Sequence, residues 1–324
     1  MKRFDVVIVG AGPAGLKAAE ILAKHKKVIV LEKNKVIGPK VCAAGITQKD
    51  LEYIPDELIE RKFDSFFIVS KGRVEIKQKL YTIERKKLGE YQADLAKKAG
   101  AIIKTECEVS QIKDDYVITN KGRYYFDYLI GADGSNSIVR KHIGLGSKIM
   151  GLGIQYNIKI EKEEVEIYFD PKKFGLFYAW IFPHKNFTYV GTGSLIPQKG
   201  LKSVLDNFIK EQKLNLDNAK FEAALINPDY KGYKFNNIFL AGDAAGLANI
   251  FSGEGIYQAI VSGEEIAKKI INPKYDCYKL RKIIRKNIKL IQLFKFLKRR
   301  PFIFEKISMN EILMRMCIKY QMKY

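Results

Sequence analysis

The segment Asp5-Val-Val-Ile-Val-Gly10-Ala-Gly12-Pro-Ala-Gly15 restricts the fold of this chain more than any other. Residues 5–10 are a continuous apolar run of the buried-strand type, residues 13–24 carry a helical pattern, and residues 28–32 (VIVLE) return to buried strand. Strand, glycine turn, helix and parallel strand make a βαβ unit, and hence an α/β fold. Gly10 permits the tight turn, Gly12 lets a pyrophosphate approach the backbone, and Gly15 lets helix and strand pack closely. Pro13 suits the first helical turn, where a missing N–H is no loss. The dinucleotide's negative charge would then sit at the positive end of the helix. Glu32 closes the second strand seventeen residues after Gly15, where a carboxylate accepts from ribose hydroxyls and repels a 2′-phosphate. Ala14 and Lys33 extend the same site on either side. NAD and FAD both remain open on these residues alone.

Residues 63–69 and 73–80 alternate around Lys71-Gly72-Arg73 and read as a hairpin outside that unit. A helix over 84–99 ends at Gly100, strands follow near 101–105, 107–112, 115–119 and 123–126, and 128–135 (YLIGADGS) is a buried strand entering a glycine turn. From 150 to 195 the pattern is β-alternation without helices, which describes an antiparallel sheet. Within it, a strand through FGLFYAWIFP would point Phe174, Leu176, Tyr178, Trp180 and Phe182 to one side. Such a wall covers either the protein's own core or an apolar ligand. Residues 237–243 again resemble a buried strand, 252–271 a helix with Ser252 at its N-cap, and 276–324 a basic helical tail interrupted at Pro301. The simplest organisation is a nucleotide-binding domain in three segments (1–62, 81–149, 230–272), an inserted β-sheet domain (63–80, 150–229) and a tail (273–324).

A chain of 324 residues with 47% hydrophobic content has a real interior, which excludes a disordered or low-complexity protein. Cys42, Cys107, Cys277 and Cys317 show no CxxC spacing, so neither a zinc site nor a secreted disulfide framework is indicated, and a reducing cytosol fits. Asp5 and the glycine pattern argue against a signal peptide, and no apolar run is long enough to span a bilayer. The protein is expected to be cytoplasmic, or peripheral at the inner face of the membrane. The formal charge of +21, densest beyond residue 268, predicts attraction to a polyanion, an anionic membrane surface ahead of nucleic acid. A well-solvated lysine-rich surface is the plain alternative.

Gly131-Ala132-Asp133-Gly134-Ser-Asn-Ser and Leu240-Ala-Gly242-Asp243-Ala-Ala each follow a buried strand. With the first glycine motif they resemble the three fingerprints of FAD-dependent enzymes of the p-hydroxybenzoate hydroxylase superfold. That resemblance implies a Rossmann-type FAD-binding domain with the inserted antiparallel sheet as substrate domain and the helical tail behind it. It also implies that Asp243 bonds the ribityl chain or its ribose, that Arg85 lies near the cofactor, and that the backbone of Val109 meets the adenine. Gly242-Asp-Ala-Ala-Gly…Ser252-Gly253-Glu-Gly255-Ile256, Gly38-Pro-Lys-Val41-Cys42-Ala43-Ala-Gly45 and YAWIFP further resemble the geranylgeranyl reductase family, which saturates isoprenoid double bonds. Its YxWxFP motif is matched by Tyr178, Trp180, Phe182 and Pro183, implying a polyprenyl lipid substrate beside the flavin. The resemblance covers the chain to about residue 272, and a chain shorter than fuller members implies a shorter or differently presented prenyl group.

Saturating an alkene in this way needs a hydride on one carbon, a proton on the other and donors for the charge left on the flavin. The Ser252–Ile256 turn, with Gly253 and Gly255, offers backbone N–H groups and a helix N-terminus for that charge. Cys42 lies in the loop that the family folds over the flavin, as proton donor, redox partner or packing group. Two alanines stand between Cys42 and Gly45 where the family usually has one residue. The electron donor, ferredoxin or reduced nicotinamide, is external. The competing readings are an FAD-dependent aromatic or lipid monooxygenase and a flavoprotein whose catalysis has lapsed. A halogenase fits less well, because Tyr178 and Phe182 replace two residues of its Trp-x-Trp-x-Ile-Pro stretch, and the cysteines cannot ligate an iron–sulfur cluster.

Overall fold

The computed structural model describes residues 2–195, 199–308, 310 and 315; Cys317 and the rest of the expected helical tail beyond Ser308 lie outside them, residues 310 and 315 apart. The path through the central sheet runs Lys234–Phe235, Ile238–Leu240, Gly122–Gly131, Arg3–Val9, Val28–Leu31, Ile102–Lys104. From Ile238–Leu240 onward the neighbours are parallel. Their apolar runs are continuous because both faces of such a sheet are covered. Pro13–Leu22 and Ile256–Ile271 pack on one another over the strand Arg3–Val9.

The two stretches 123–126 and 128–135 form one strand, Gly122–Gly131. Its first part pairs antiparallel with Tyr116–Thr119 at the rim, and its second runs parallel to Arg3–Val9 in the middle. One strand thus passes from a half-exposed to a fully buried setting, which makes its sequence read as two patterns. Asp127, at the change, is on the surface and pairs with Arg3 at 2.6 Å.

The second sheet runs Lys220–Ile226, Gly151–Ile158, Thr188–Ser194, Ala179–Pro183, Glu166–Tyr168, Phe66–Val69, Arg73–Ile76. It is antiparallel over residues 150–195 as expected, and Glu166–Tyr168 runs parallel to Phe66–Val69. The hairpin around Lys71-Gly72-Arg73 is present but short. Phe63 and Leu80 pair instead in a third sheet of Gly45–Thr47, Leu80–Ile83 and Ile59–Phe63, because Leu80–Ile83 is buried at every position and cannot be an alternating edge strand.

The aromatic wall also needs correction. Only Ala179–Pro183 is strand; Phe174 ends a short helix, Pro171–Phe174, capped by the Asp170 carboxylate. Gly175 then turns the chain at φ +59°, a conformation open chiefly to glycine, and breaks the alternation. Phe174 packs edge-on against Phe208 at 5.7 Å on the other side of the sheet. Phe177 takes its place in the wall, stacked on Tyr178 at 4.5 Å.

The helix expected from Ser252 begins at Ile256 with Gly255 as its cap. The Asn249 side chain accepts from the N–H groups of Phe251 and Ser252, folding residues 249–253 into a turn that precludes a helical start there. After Ile256–Ile271 come the helices Tyr278–Arg299 and Pro301–Ser308. Leu280 and Ile283 join the core of the central sheet, whereas Leu290 and Phe294 join that of the second sheet. Among the described residues no helix is long and apolar enough to cross a membrane.

Candidate functional site

A cleft of about 1210 Å³ is walled by both large sheets. The three glycine turns meet at one end. Gly10, Gly12, Pro13 and Ala14 line it together with Glu32, Lys33, Val109, Ala132, Asp133, Gly134, Gly242 and Asp243. The loop residues Val41, Cys42, Ala43 and Gly45, the Arg85 side chain and Gly253, Gly255 and Ile256 continue the wall. Tyr178, Trp180 and Phe182 form the far end. Of the positions singled out from sequence, Gly15 and Pro183 lie outside the cleft wall. A Cβ on Gly15 would stand 2.1 Å from the Gly10 carbonyl oxygen, so that glycine serves helix-on-strand packing. The Pro183 carbonyl accepts from Thr82 Oγ1 at 3.3 Å.

At Gly12, by contrast, a Cβ would meet no protein atom nearer than 4.0 Å and would project into free space beside the N-terminus of Pro13–Leu22. Glu32 Oε2 accepts from the Ala11 N–H and Oε1 from the Asn34 N–H, both at 2.8 Å, leaving one lone pair on each oxygen for a ligand hydroxyl. Asp133 works differently. Its carboxylate accepts from Ser137 Oγ and the Ile138 N–H, both at 2.6 Å, and so holds the start of Ile138–His142; burial pushes its pKa upward against those bonds. Asp243 Oδ2 accepts from Ser135 Oγ at 2.9 Å and pairs with Lys40 at 3.0 Å. Two buried donors in this wall lack any protein acceptor, Arg85 Nε and Trp180 Nε1. Such atoms cost about 1–3 kcal/mol each if left dry, and a polar ligand would relieve that.

The loop over the cleft is tied to both sides. Cys42 Sγ accepts from the Ala44 N–H at 3.2 Å, and the Cys42 carbonyl accepts from Gln155 Nε2 at 3.3 Å. Gly45 lies on the ring of Phe182, where a Cβ would sit 2.2 Å from the ring edge. The other end is apolar: Phe66, Ile68, Phe169, Phe177, Trp180, and from the tail helices Leu290, Leu293, Leu297 and Phe304. Sequence reading missed the tail residues because no motif marks them; the only signal was leucines three and four apart in a basic helix. Tyr178 Oη donates to the Ser252 carbonyl at 2.6 Å, tying the aromatic wall to the Ser252–Gly255 turn, and burial pushes its pKa up strongly.

A charged cluster, also unforeseen, stands beside that turn. Lys49 Nζ is 3.1 Å from Glu254, and Asp50 accepts from both the N–H and the hydroxyl of Thr47. Burial and the neighbouring Glu254 carboxylate push the Asp50 pKa up to about 6. Burial, with help from Lys49, brings Lys286 down to about 8.

A family model described as "FAD binding domain" matches residues 3–274. Digeranylgeranylglycerophospholipid reductase 3 of Methanosphaera stadtmanae is 30% identical, with 86% of this chain and 81% of that protein covered. The digeranylgeranylglycerophospholipid reductase of Methanocaldococcus jannaschii is also 30% identical, over 82% of this chain and 78% of its own. A crystal structure of a geranylgeranyl bacteriochlorophyll reductase-like protein from Thermoplasma acidophilum superposes with a TM-score of 0.74 at 25% identity, covering 90% of this chain and 84% of that chain.

Proposed function

This chain belongs to the FAD-binding family that includes the digeranylgeranylglycerophospholipid reductases, and on that premise we propose that it saturates C=C bonds of geranylgeranyl chains in lipid biosynthesis. FAD is the cofactor. One observation carries the substrate reading: a single cleft joins the glycine cradle to an apolar, aromatic slot long enough to reach the tail helices. Burying prenyl carbons there is worth about 25 cal/mol per Å², so apolar surface supplies affinity without polar recognition. The relatives at 30% identity favour a reductase over the monooxygenase alternative.

In this reading residues 1–62, 81–149 and 230–272 hold FAD, residues 63–80 and 150–229 carry the substrate, and the tail closes the slot. Gly10, Gly12, Pro13, Ala14 and Gly15 place the pyrophosphate at the helix N-terminus, Glu32 and Lys33 face the adenosine ribose, and Val109 the adenine. Asp243 takes a ribityl hydroxyl in exchange for Lys40, with Arg85, Ala132, Asp133, Gly134 and Gly242 completing the cradle. The N–H groups of Gly255 and Ile256 would face the negative charge that develops, while that of Gly253 already donates to the Asn249 carbonyl at 3.0 Å. Reduced FAD supplies the hydride for one alkene carbon. Cys42, beside Val41 and Ala43, is the candidate to hold the proton for the other, and Tyr178, together with Trp180 and Phe182 on the strand that Pro183 ends, orients the chain and excludes water. The donor is an external ferredoxin or reduced nicotinamide, and the substrate reaches the cleft from an anionic membrane surface.

The deciding experiment incubates the dithionite-reduced flavoprotein with a geranylgeranyl glycerolipid. A product mass raised by two hydrogens per double bond supports the proposal. Unchanged lipid, with an oxygen-dependent hydroxylation of aromatic compounds instead, would sink it.

A further inference from the structure

His184 follows the YAWIFP strand directly, and its ring is fully buried. Phe187 stacks on one face at 4.7 Å, and Tyr189 meets the ring edge-on at 5.0 Å. Nε2 lies 3.0 Å from the Ala43 carbonyl oxygen, and Nδ1 lies 2.6 Å from Glu60 Oε2. A carbonyl oxygen only accepts, so Nε2 must carry hydrogen. A neutral imidazole then has a bare lone pair at Nδ1, and an ionised carboxylate has only lone pairs to offer. Contact at 2.6 Å therefore needs one more proton, on Nδ1 or on Glu60. Losing that proton sets two lone pairs against each other, and the ring gives up either Glu60 or Ala43.

What hangs on the contact is the loop over the cleft. Ala44 holds a positive φ of 55°, a conformation that strains a residue with a Cβ and persists only under restraint. Its neighbours Cys42 and Ala43 are gripped through their carbonyl oxygens by Gln155 and His184, both from the second sheet.

We propose that His184, oriented by Glu60, is the positioning residue that holds residues 41–44 against the substrate sheet and so keeps the flavin-covering loop in place. This rests on the reading that the loop covers FAD.

The test measures the FAD dissociation constant of wild type, His184→Gln, His184→Ala and Glu60→Gln at one fixed pH, together with the alkylation rate of Cys42, read by peptide mass spectrometry. Glu60→Gln and His184→Gln each keep a donor for Ala43, so their affinities and alkylation rates should stay within about threefold of wild type. His184→Ala should bind FAD about tenfold more weakly and alkylate about tenfold faster at Cys42. If His184→Ala fails to fold, His184→Phe, which fills the space of the ring without a donor, takes its place. Wild-type affinity and Cys42 reactivity in the donor-free variant, or losses in His184→Gln equal to those of the donor-free variant, overturn the inference. Failure of every protein to bind FAD overturns the flavin reading instead, and the alkylation rates still decide the tether.

Discussion

Lys40 Nζ lies 3.0 Å from Asp243 Oδ2, joining the loop after the second strand to the third glycine turn across 203 positions of sequence. The Asp243 side chain is 9% exposed and that of Lys40 about half exposed, so the contact compensates a carboxylate whose other side-chain partner among the described residues is Ser135. Lys40→Met should therefore lower the melting temperature of the FAD-free protein by about 2–4 °C, corresponding to about 1 kcal/mol for a partly exposed pair. Flavin hydroxyls would satisfy Asp243 in the loaded protein, so the loss should shrink there. An equal loss with and without FAD, by differential scanning fluorimetry, would show that the flavin does not reach Asp243.

Gly12 and Gly15 stand three residues apart and face opposite demands. Gly12→Ala should leave the stability of the FAD-free protein unchanged, since nothing in the chain obstructs a Cβ there, and weaken FAD binding at least about tenfold. Gly15→Ala forces a methyl into the Gly10 carbonyl and should cost about 2–3 kcal/mol of stability whether or not FAD is present. Flavin titration and chemical denaturation of the two variants separate the roles. Tight FAD binding by Gly12→Ala would remove the pyrophosphate from that cradle.

Asp50 makes stability depend on pH in a stated direction. Its folded pKa, pushed up to about 6, exceeds the ordinary value of 3.8, so between these the folded protein binds more protons than the unfolded chain. Stability therefore falls as pH rises through that window, by about 3 kcal/mol in all from this group. Asp50→Asn keeps an acceptor for Thr47 and should lack this component. Urea denaturation of both proteins at several pH values checks it; identical pH profiles would mean that Asp50 ionises normally.

The helix Tyr278–Arg299 turns Leu290 and Leu297 into the cleft, while Leu293 both lines it and is 45% exposed, marking where the cleft opens. The same helix exposes Ile288, Lys289, Lys295, Phe296 and Arg299, and the helix after it exposes Phe302. Sedimentation with anionic vesicles should show binding that weakens as salt is raised and that drops about thirtyfold in a Lys289→Gln, Lys295→Gln double variant, at about 1 kcal/mol per basic residue. Equal binding to neutral vesicles would remove the electrostatic basis.

Local patterns carried much of this protein. The buried-strand runs at residues 5–10 and 28–32, with Gly10, Gly12 and Gly15 between them, determine a parallel βαβ unit because continuous apolar strands and a cap-free glycine turn leave few other ways to satisfy the backbone. The later glycine turns at Asp133 and Asp243 are legible for the same reason. What tertiary structure alone decided are contacts whose partners lie far apart in sequence. Phe174 left the aromatic wall because one glycine turned the chain. Asp133, which a motif makes a ligand candidate, spends its oxygens on a helix start, and Lys40 reaches Asp243 only because two loops fold to the same cleft mouth. Leucines of an unmarked tail finish the apolar slot. Short-range pattern reflects the backbone's local needs, whereas the contacts of His184 or the raised pKa of Asp50 depend on which groups the fold brings within a few ångströms.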